Sequence, residues 1–142
     1  MVALNNGDSI WDANVLEFDF VPKGNFISLD YVFASEEWPD YHCSGNGADV
    51  MGIFLSGPGI AGQKNIATLP GGNTPVTTQT VFPPGSPCRP EAPGGSPWYI
   101  DNTGGQNIIF NGFTKVLTAA SEVQPCQTYH IKIMVADGVR HP

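Results

Sequence analysis

The chain has 142 residues, enough for one domain with an enclosed core, and 41% of them are apolar. Only 13% are charged, while 17 glycines and 13 prolines supply many turn positions, which is typical of a turn-rich β protein outside the cytosol. The net charge of -7, without any run of Lys or Arg, argues against nucleic acid as a partner. No apolar run approaches the roughly 20 residues of a membrane helix, so we expect no membrane insertion.

Alternating apolar and polar side chains predict strands in the first third of the chain. Residues 16–20 alternate, residues 21–25 form a turn pattern, and residues 27–33 alternate again, which predicts a β-hairpin over residues 14–34. Residues 49–55 are nearly all apolar, as expected for a strand that is covered on both faces.

The second half of the chain begins with an unusual loop. After a further short strand, Pro, Gly, Thr and Ser dominate residues 70–97, a segment that either packs as an ordered functional loop or is mobile. Strand character resumes at residues 98–101 and 108–119, and residues 129–135 alternate most regularly. We therefore expect about seven or eight strands and no helix, in an all-β, jelly-roll-like antiparallel β-sandwich that forms a single domain over residues 1–142.

Carboxylates at the predicted strand ends form one candidate site. These residues are Glu36, Glu37, Asp40, Asp49, Asp101 and Asp137. Ca²⁺ takes six to eight oxygen ligands, and loops that converge at one end of a sandwich can supply them from distant positions in the sequence. The alternative is that the carboxylates are solvated charges on the rim or caps for backbone groups.

Aromatic residues near predicted loop tips form a second candidate site. The rings of Trp38, Tyr41 and Trp98 could stack on the apolar faces of a sugar, while neighbouring polar groups bind its hydroxyls. The polar groups that we assign to this ligand-binding set are Asp40, Asp101 and Asn102. The alternative is that the Trp rings cap the core of the sandwich, which is the commoner fate of Trp.

Three cysteines fit neither a zinc pattern nor an even disulfide framework. Cys43 and Cys88 lie in loops rich in Gly, Pro and Ser, and they are the favoured disulfide pair, whereas Cys126 is left over. The alternative is that the cysteines are reduced, buried thiols.

No catalytic pattern emerges from the sequence. Glu36 and Glu37 are adjacent, so on a strand they point to opposite faces and do not form an acid–base pair. The three histidines occur in no nucleophile or metal spacing, and Ser56 lacks the Gly-x-Ser-x-Gly pattern. We therefore expect a protein that is not an enzyme.

Several segments, taken in order and spacing, resemble the choice-of-anchor L domain family. They include Leu16-Glu-Phe-Asp-Phe-Val-Pro, Tyr31-Val-Phe-Ala-Ser-Glu-Glu, Phe54-Leu-Ser-Gly-Pro-Gly-Ile60, Asn111-Gly-Phe-Thr-Lys-Val-Leu-Thr-Ala119 and Pro125-Cys-Gln-Thr-Tyr-His-Ile-Lys132. The resemblance implies an extracellular or cell-surface location in bacteria and a role in adhesion, through a surface glycan or a protein ligand. Glu36, Glu37, Asp49 and Asp137 match motif positions of the family, which makes them the preferred Ca²⁺ ligands.

The chain departs from the family pattern at both ends. Family members usually carry a strand-forming segment upstream of the position of Val15, and they continue after Asp137 into an acidic turn and an apolar strand. A sandwich without its edge strands exposes unpaired N–H and C=O groups. This departure supports a second hypothesis, in which identical subunits complete one another by β-strand complementation and form a surface filament or sheath.

Overall fold

The computed structural model describes residues 9–43, 48–106 and 108–139, which form nine strands and no helix. The strands are β1 (Ser9–Phe20), β2 (Phe26–Tyr31), β3 (Ala34–Ser35), β4 (Val50–Ser56), β5 (Lys64–Asn65), β6 (Tyr99–Asp101), β7 (Gly112–Thr114), β8 (Leu117–Glu122) and β9 (Tyr129–Val139). All their pairings are antiparallel, so the predicted all-β, antiparallel class is confirmed.

Three sheets pack together as a sandwich. The largest has the strand order β1-β9-β4-β5, and it shares one core with a two-stranded sheet, β2-β8, and a three-stranded sheet, β3-β7-β6. Ile53 and Ile131 of the large sheet meet Leu117 and Ala119 of β8 in this core. The sandwich follows from strands that each hide one apolar face.

Strand β4 is buried on both faces, as its apolar sequence predicts. Ile53 and Leu55 belong to the main core, whereas Val50 and Phe54 form a smaller cluster on the opposite face. A Cβ atom at Gly52 would lie 2.4 Å from the ring of Phe54. The missing side chain therefore lets Phe54 lie across its own strand and cover that face.

The predicted β-hairpin over residues 14–34 is wrong. β1 pairs with β9 in a register that includes Phe20↔Tyr129, and β2 pairs with β8 instead of β1. Residues 21–25 cross between sheets, and the Cys126 N–H donates to the Pro22 carbonyl in this connection at 2.8 Å. Alternation identifies strands and their faces, but it does not select their partners.

The long loop over residues 70–97 is packed against the sandwich. Val76 and Val81 are fully buried. The indole N–H of Trp38 donates to the carbonyls of Thr78 at 3.1 Å and Val81 at 2.9 Å. Of the two states that the sequence allows for this loop, the structure shows the ordered one.

A disulfide joins Cys43 to Cys88, the pair favoured from the sequence, and Cys126 is an exposed free thiol. Burial lowers the pKa of neighbouring His42, which favours the neutral ring. Its Nδ1 lies 2.6 Å from a backbone carbonyl and its Nε2 lies 2.7 Å from the hydroxyl of Ser86. The Nδ1–H tautomer satisfies both contacts, since Nε2 then accepts from the hydroxyl.

The predicted strand over residues 108–119 is interrupted. β7 lies within it and β8 begins within it and continues to Glu122, but Ile108 and Phe110 belong to no strand and are exposed. At the N-terminal side, β1 already begins at Ser9, so strand structure does precede Val15. The sequence also predicts that the strand after Asp137 is missing. Residues 140–142 of this region lie outside the described residues.

Candidate functional site

Three carboxylates from separate segments converge at one end of the sandwich. Glu37 follows β3, Asp49 precedes β4, and Asp137 lies in β9. One oxygen atom of each lies within 4.8 Å of one oxygen atom of the others. We call these residues the acidic cluster. The fourth predicted metal ligand, Glu36, is exposed and lies outside the group that meets this distance.

Hydrogen bonds position two carboxylates of the acidic cluster, those of Asp49 and Glu37. The Ser35 hydroxyl donates to Asp49 Oδ2 at 2.6 Å. Glu37 Oε2 accepts from the Thr78 hydroxyl at 3.0 Å and from the Asp49 N–H at 3.3 Å. Ser35 and Thr78 were not among the site residues predicted from the sequence. The position of Ser35 beside the Glu pair was an available signal, whereas nothing local marks Thr78, which the long loop brings to the site.

The electrostatics of the acidic cluster are unfavourable without a cation. Burial, followed by the negative charge of Asp49, raises the pKa of Glu37. Burial also raises the pKa of Asp49, and the charges of Asp137 and Glu36 add to this effect. Within the described part of the chain, no Lys, Arg or His forms an ion pair with the cluster. Its oxygen-only donor set, with backbone carbonyls or water to complete it, suits a hard cation such as Ca²⁺.

The two tryptophans of the predicted ligand-binding set belong to the core. Trp38 is completely buried, and its ring packs edge-on against Phe33 at 5.7 Å and Tyr99 at 5.6 Å between centroids. The prediction that Trp38 stacks on a ligand is therefore wrong. Trp98 is partly buried and packs against the same core.

Asn102 is also a structural residue. It is buried, and its amide donates to the carbonyls of Ile108 at 2.9 Å and Phe110 at 2.7 Å. The predicted contact of Asn102 with a ligand is wrong, because the side chain is used to close the loop between β6 and β7.

Three polar residues of the predicted ligand-binding set remain accessible to solvent: Asp40, Tyr41 and Asp101. Tyr41 is 65% exposed. Burial raises the pKa of Tyr99 to about 12, and the charges of Asp101 and Asp40 contribute to the increase. Tyr99 was not among the site residues predicted from the sequence.

The family model for the choice-of-anchor L domain matches residues 1–141. The chain belongs to this family. Membership indicates a secreted or surface-anchored bacterial protein. No curated protein and no solved structure matches the chain. The part of the chain that the structure describes contains no helix long and apolar enough to cross a membrane.

In this choice-of-anchor L domain, segments far apart in the sequence build the acidic cluster. The segment Tyr31-Val-Phe-Ala-Ser-Glu-Glu supplies one carboxylate and the hydroxyl of Ser35, while β9 supplies Asp137 from the other end of the chain. The cluster therefore exists only when the sheets are assembled.

Proposed function

We propose that this choice-of-anchor L domain is a non-catalytic adhesive module of a bacterial surface protein and that Ca²⁺ stabilises it. The observation that carries the proposal is the convergence of Glu37, Asp49 and Asp137 without an ion-pair partner among the described residues. A bound cation would link the ends of three strands and remove the mutual repulsion of the three carboxylates.

The surface near Asp40, Tyr41 and Asp101 is our candidate for ligand contact. An exposed tyrosine ring can stack on the apolar face of a sugar, and carboxylates accept hydrogen bonds from sugar hydroxyls. A surface glycan is the ligand that this combination suits best.

Two measurements test the proposal. The thermal unfolding midpoint should rise when Ca²⁺ is added to protein freed of metal with EDTA, and an unchanged midpoint would remove the metal from the proposal. A glycan array probed with the wild-type domain and with Tyr41→Ala tests the surface, with Val116→Ala, which also removes an exposed side chain, as the control. Binding that survives Tyr41→Ala unchanged would exclude this surface.

A second candidate function is that of a structural subunit in a filament or sheath. The observation that favours it is that β1 and β2, among the described residues, each pair with a neighbour on one side only. Light scattering under native conditions distinguishes the two functions, because a clean monomer of 15.1 kDa would count against an obligate assembly.

A further inference from the structure

An open apolar groove separates β1 and β2. Leu16 and Phe18 of β1 and Ile133 and Val135 of β9 form its floor, and Leu29 of β2 forms one wall. Two adjoining cavities of about 610 and 370 Å³ make up the groove, and both contact Leu29 and Ile133. We call this feature the β1–β2 groove.

Within the groove, side chains of β1 are exposed on the face of the strand that elsewhere packs against the core. Strand alternation places Leu16 and Phe18 on the same face of β1 as Phe20, which packs against the main core. Nevertheless Leu16 is 60% exposed and Phe18 is 47% exposed. Contiguous exposed apolar surface of this kind marks interaction sites in soluble proteins.

The backbone beside the groove is also unpaired. Within the described residues, β2 bonds to β8 alone and β1 bonds to β9 alone. Alternate residues of β2 therefore present unpaired N–H and C=O groups along an edge next to the groove. A strand added to this edge would lie over the exposed side chains of β1, so one ligand would satisfy both features.

The negative charges at one end of the groove favour an added strand that carries a positive charge. Asp12, Asp30, Asp49 and Asp137 line one end, and no Lys, Arg or His is among the described residues that line either cavity. A second copy of the chain also carries a net charge of -7, so its approach is electrostatically unfavourable. A cationic residue at that end of the ligand would be attracted.

A buried hydroxyl at the acidic end lacks a partner. Tyr31 lines this part of the groove, and its Oη is buried without a hydrogen-bond partner among the described residues. Burial raises the pKa of Tyr31 to about 12, so the hydroxyl remains a donor at neutral pH.

We infer that the β1–β2 groove binds an extended segment of a partner protein, which adds to the free edge of β2, places apolar side chains over Leu16 and Phe18, and sets a Lys or Arg beside Asp12. This inference deepens the proposed binding function by naming a second surface and its ligand class. Asp49 and Asp137 also belong to the acidic cluster, so bound Ca²⁺ would reduce the negative charge at this end of the groove, whereas Asp12 lies outside the cluster. The free edge of β2 and the apolar contacts of β1 do not depend on Ca²⁺.

A labelled peptide tests the inference on the whole chain. The probe is Arg-Thr-Val-Thr-Ile-Thr-Val-Thr, about eight residues, which is long enough to span β2. One control peptide places its three apolar residues consecutively, and a second replaces Arg by Glu. In EDTA we expect the probe to bind at least about tenfold more tightly than either control. In Ca²⁺ the preference over the consecutive control should persist, whereas the preference over the Glu control should be smaller. Hydrogen exchange should show new protection in β2.

Variants on the two faces of β1 provide a matched comparison. Leu16→Gln changes the groove, whereas Val15→Gln changes a neighbouring side chain, 47% exposed, on the opposite face. We expect only the first to weaken the probe at least about tenfold. Asp12→Asn removes a negative charge and should therefore reduce the preference for Arg over Glu. Asn also tolerates the φ of 49° at this position, so the backbone should be unchanged.

Any of three binding results would overturn the inference: no binding of the probe, equal binding of the consecutive control, or equal loss in the Leu16→Gln and Val15→Gln variants. If the free chain is a dimer that Leu16→Gln converts to a monomer, a second copy occupies the groove and the partner-protein inference is wrong. Because the probe is expected to bind in EDTA, failure of the Ca²⁺ proposal is distinguishable from failure of this one.

Discussion

Replacing Glu37 by Gln should have opposite effects on stability with and without Ca²⁺. The substitution removes one charge from the acidic cluster but keeps an oxygen that can accept from Thr78 and from the Asp49 N–H. In EDTA the variant should be more stable than the wild type, because fewer like charges face one another. In Ca²⁺ it should lose most of the stabilisation that the metal provides.

The distances in the cluster set the magnitude. Two unit charges at the 4.8 Å limit repel by about 1 kcal/mol in water and by about 3 kcal/mol at an effective dielectric constant of about 20. Since Glu37 and Asp49 are only partly buried and the hydrogen bonds to Glu37 weaken when its charge is lost, we expect a net gain of about 1–2 kcal/mol in EDTA. For a domain of this size that is roughly 2–6 °C in the unfolding midpoint.

The effect of Ca²⁺ is of similar size. At a free Ca²⁺ concentration of about 100 times Kd, a single site stabilises the wild type by about 2.7 kcal/mol, or roughly 5–10 °C. The Glu37→Gln variant should retain less than about half of this shift, because a charged ligand has been removed.

The assay is thermal unfolding followed by circular dichroism, in EDTA and across a Ca²⁺ titration, with Mg²⁺ as the ion control. Glu122→Gln is the control variant. Glu122 is exposed on β8 and pairs with Phe26, at the far end of β2 from Tyr31. It should keep the Ca²⁺ shift. An EDTA midpoint that falls in Glu37→Gln, together with an unaltered Ca²⁺ shift, would refute the electrostatic reasoning.

The pH dependence gives a second measurement of the same effect. In EDTA the folded state raises the pKa of Glu37 and Asp49 above their ordinary values of 4.5 and 3.8. Between the ordinary and the raised values the folded state binds more protons than the unfolded state, so the contribution of these groups to stability falls as pH rises. The slope should be smaller in Glu37→Gln, and urea unfolding at a series of pH values measures it.

Three further substitutions test the packing around the site. Trp38→Phe leaves two loop carbonyls without their donor and should cost about 1–3 kcal/mol in urea unfolding; a loss as small as that of Trp98→Phe would contradict the bridging role of this indole. The double change of Cys43 and Cys88 to Ser removes a cross-link over 45 residues and should cost about 2–4 kcal/mol, with full loss of the difference when the wild type is reduced. Gly52→Ala places a Cβ 2.4 Å from the ring of Phe54 and should cost about 1–3 kcal/mol, whereas Gly72→Ala, which meets no atom within 4 Å, should not.

The acidic cluster could be predicted only in part. The motif positions of the family pointed to Glu37, Asp49 and Asp137, but they included Glu36 as well. Adjacent residues on an extended backbone point to opposite sides, and the sequence does not say which of two glutamates turns inward. Thr78 was beyond prediction because a loop without periodicity carries it to the site.

The burial of the aromatic residues could not be predicted from the local sequence. Trp38 follows a strand and precedes a loop, which suggested an exposed rim, yet the folded loop encloses it completely. Burial of a loop-side residue depends on what packs over it, and the covering segment around Val81 lies far along the chain. Local sequence contains no information on that contact.

The sequence by itself determined those strands whose own residue pattern reflects which of their faces are buried. β4 is apolar from Val50 to Leu55, which is typical of a strand with both faces covered, and the alternation of side chains along β9 identifies its inner face. Only the tertiary structure decided that β1 pairs with β9, that β2 pairs with β8, and that a groove separates β1 from β2. The physical reason is that alternation fixes the face of a strand, whereas its neighbours and any uncovered edge depend on packing between residues distant in sequence.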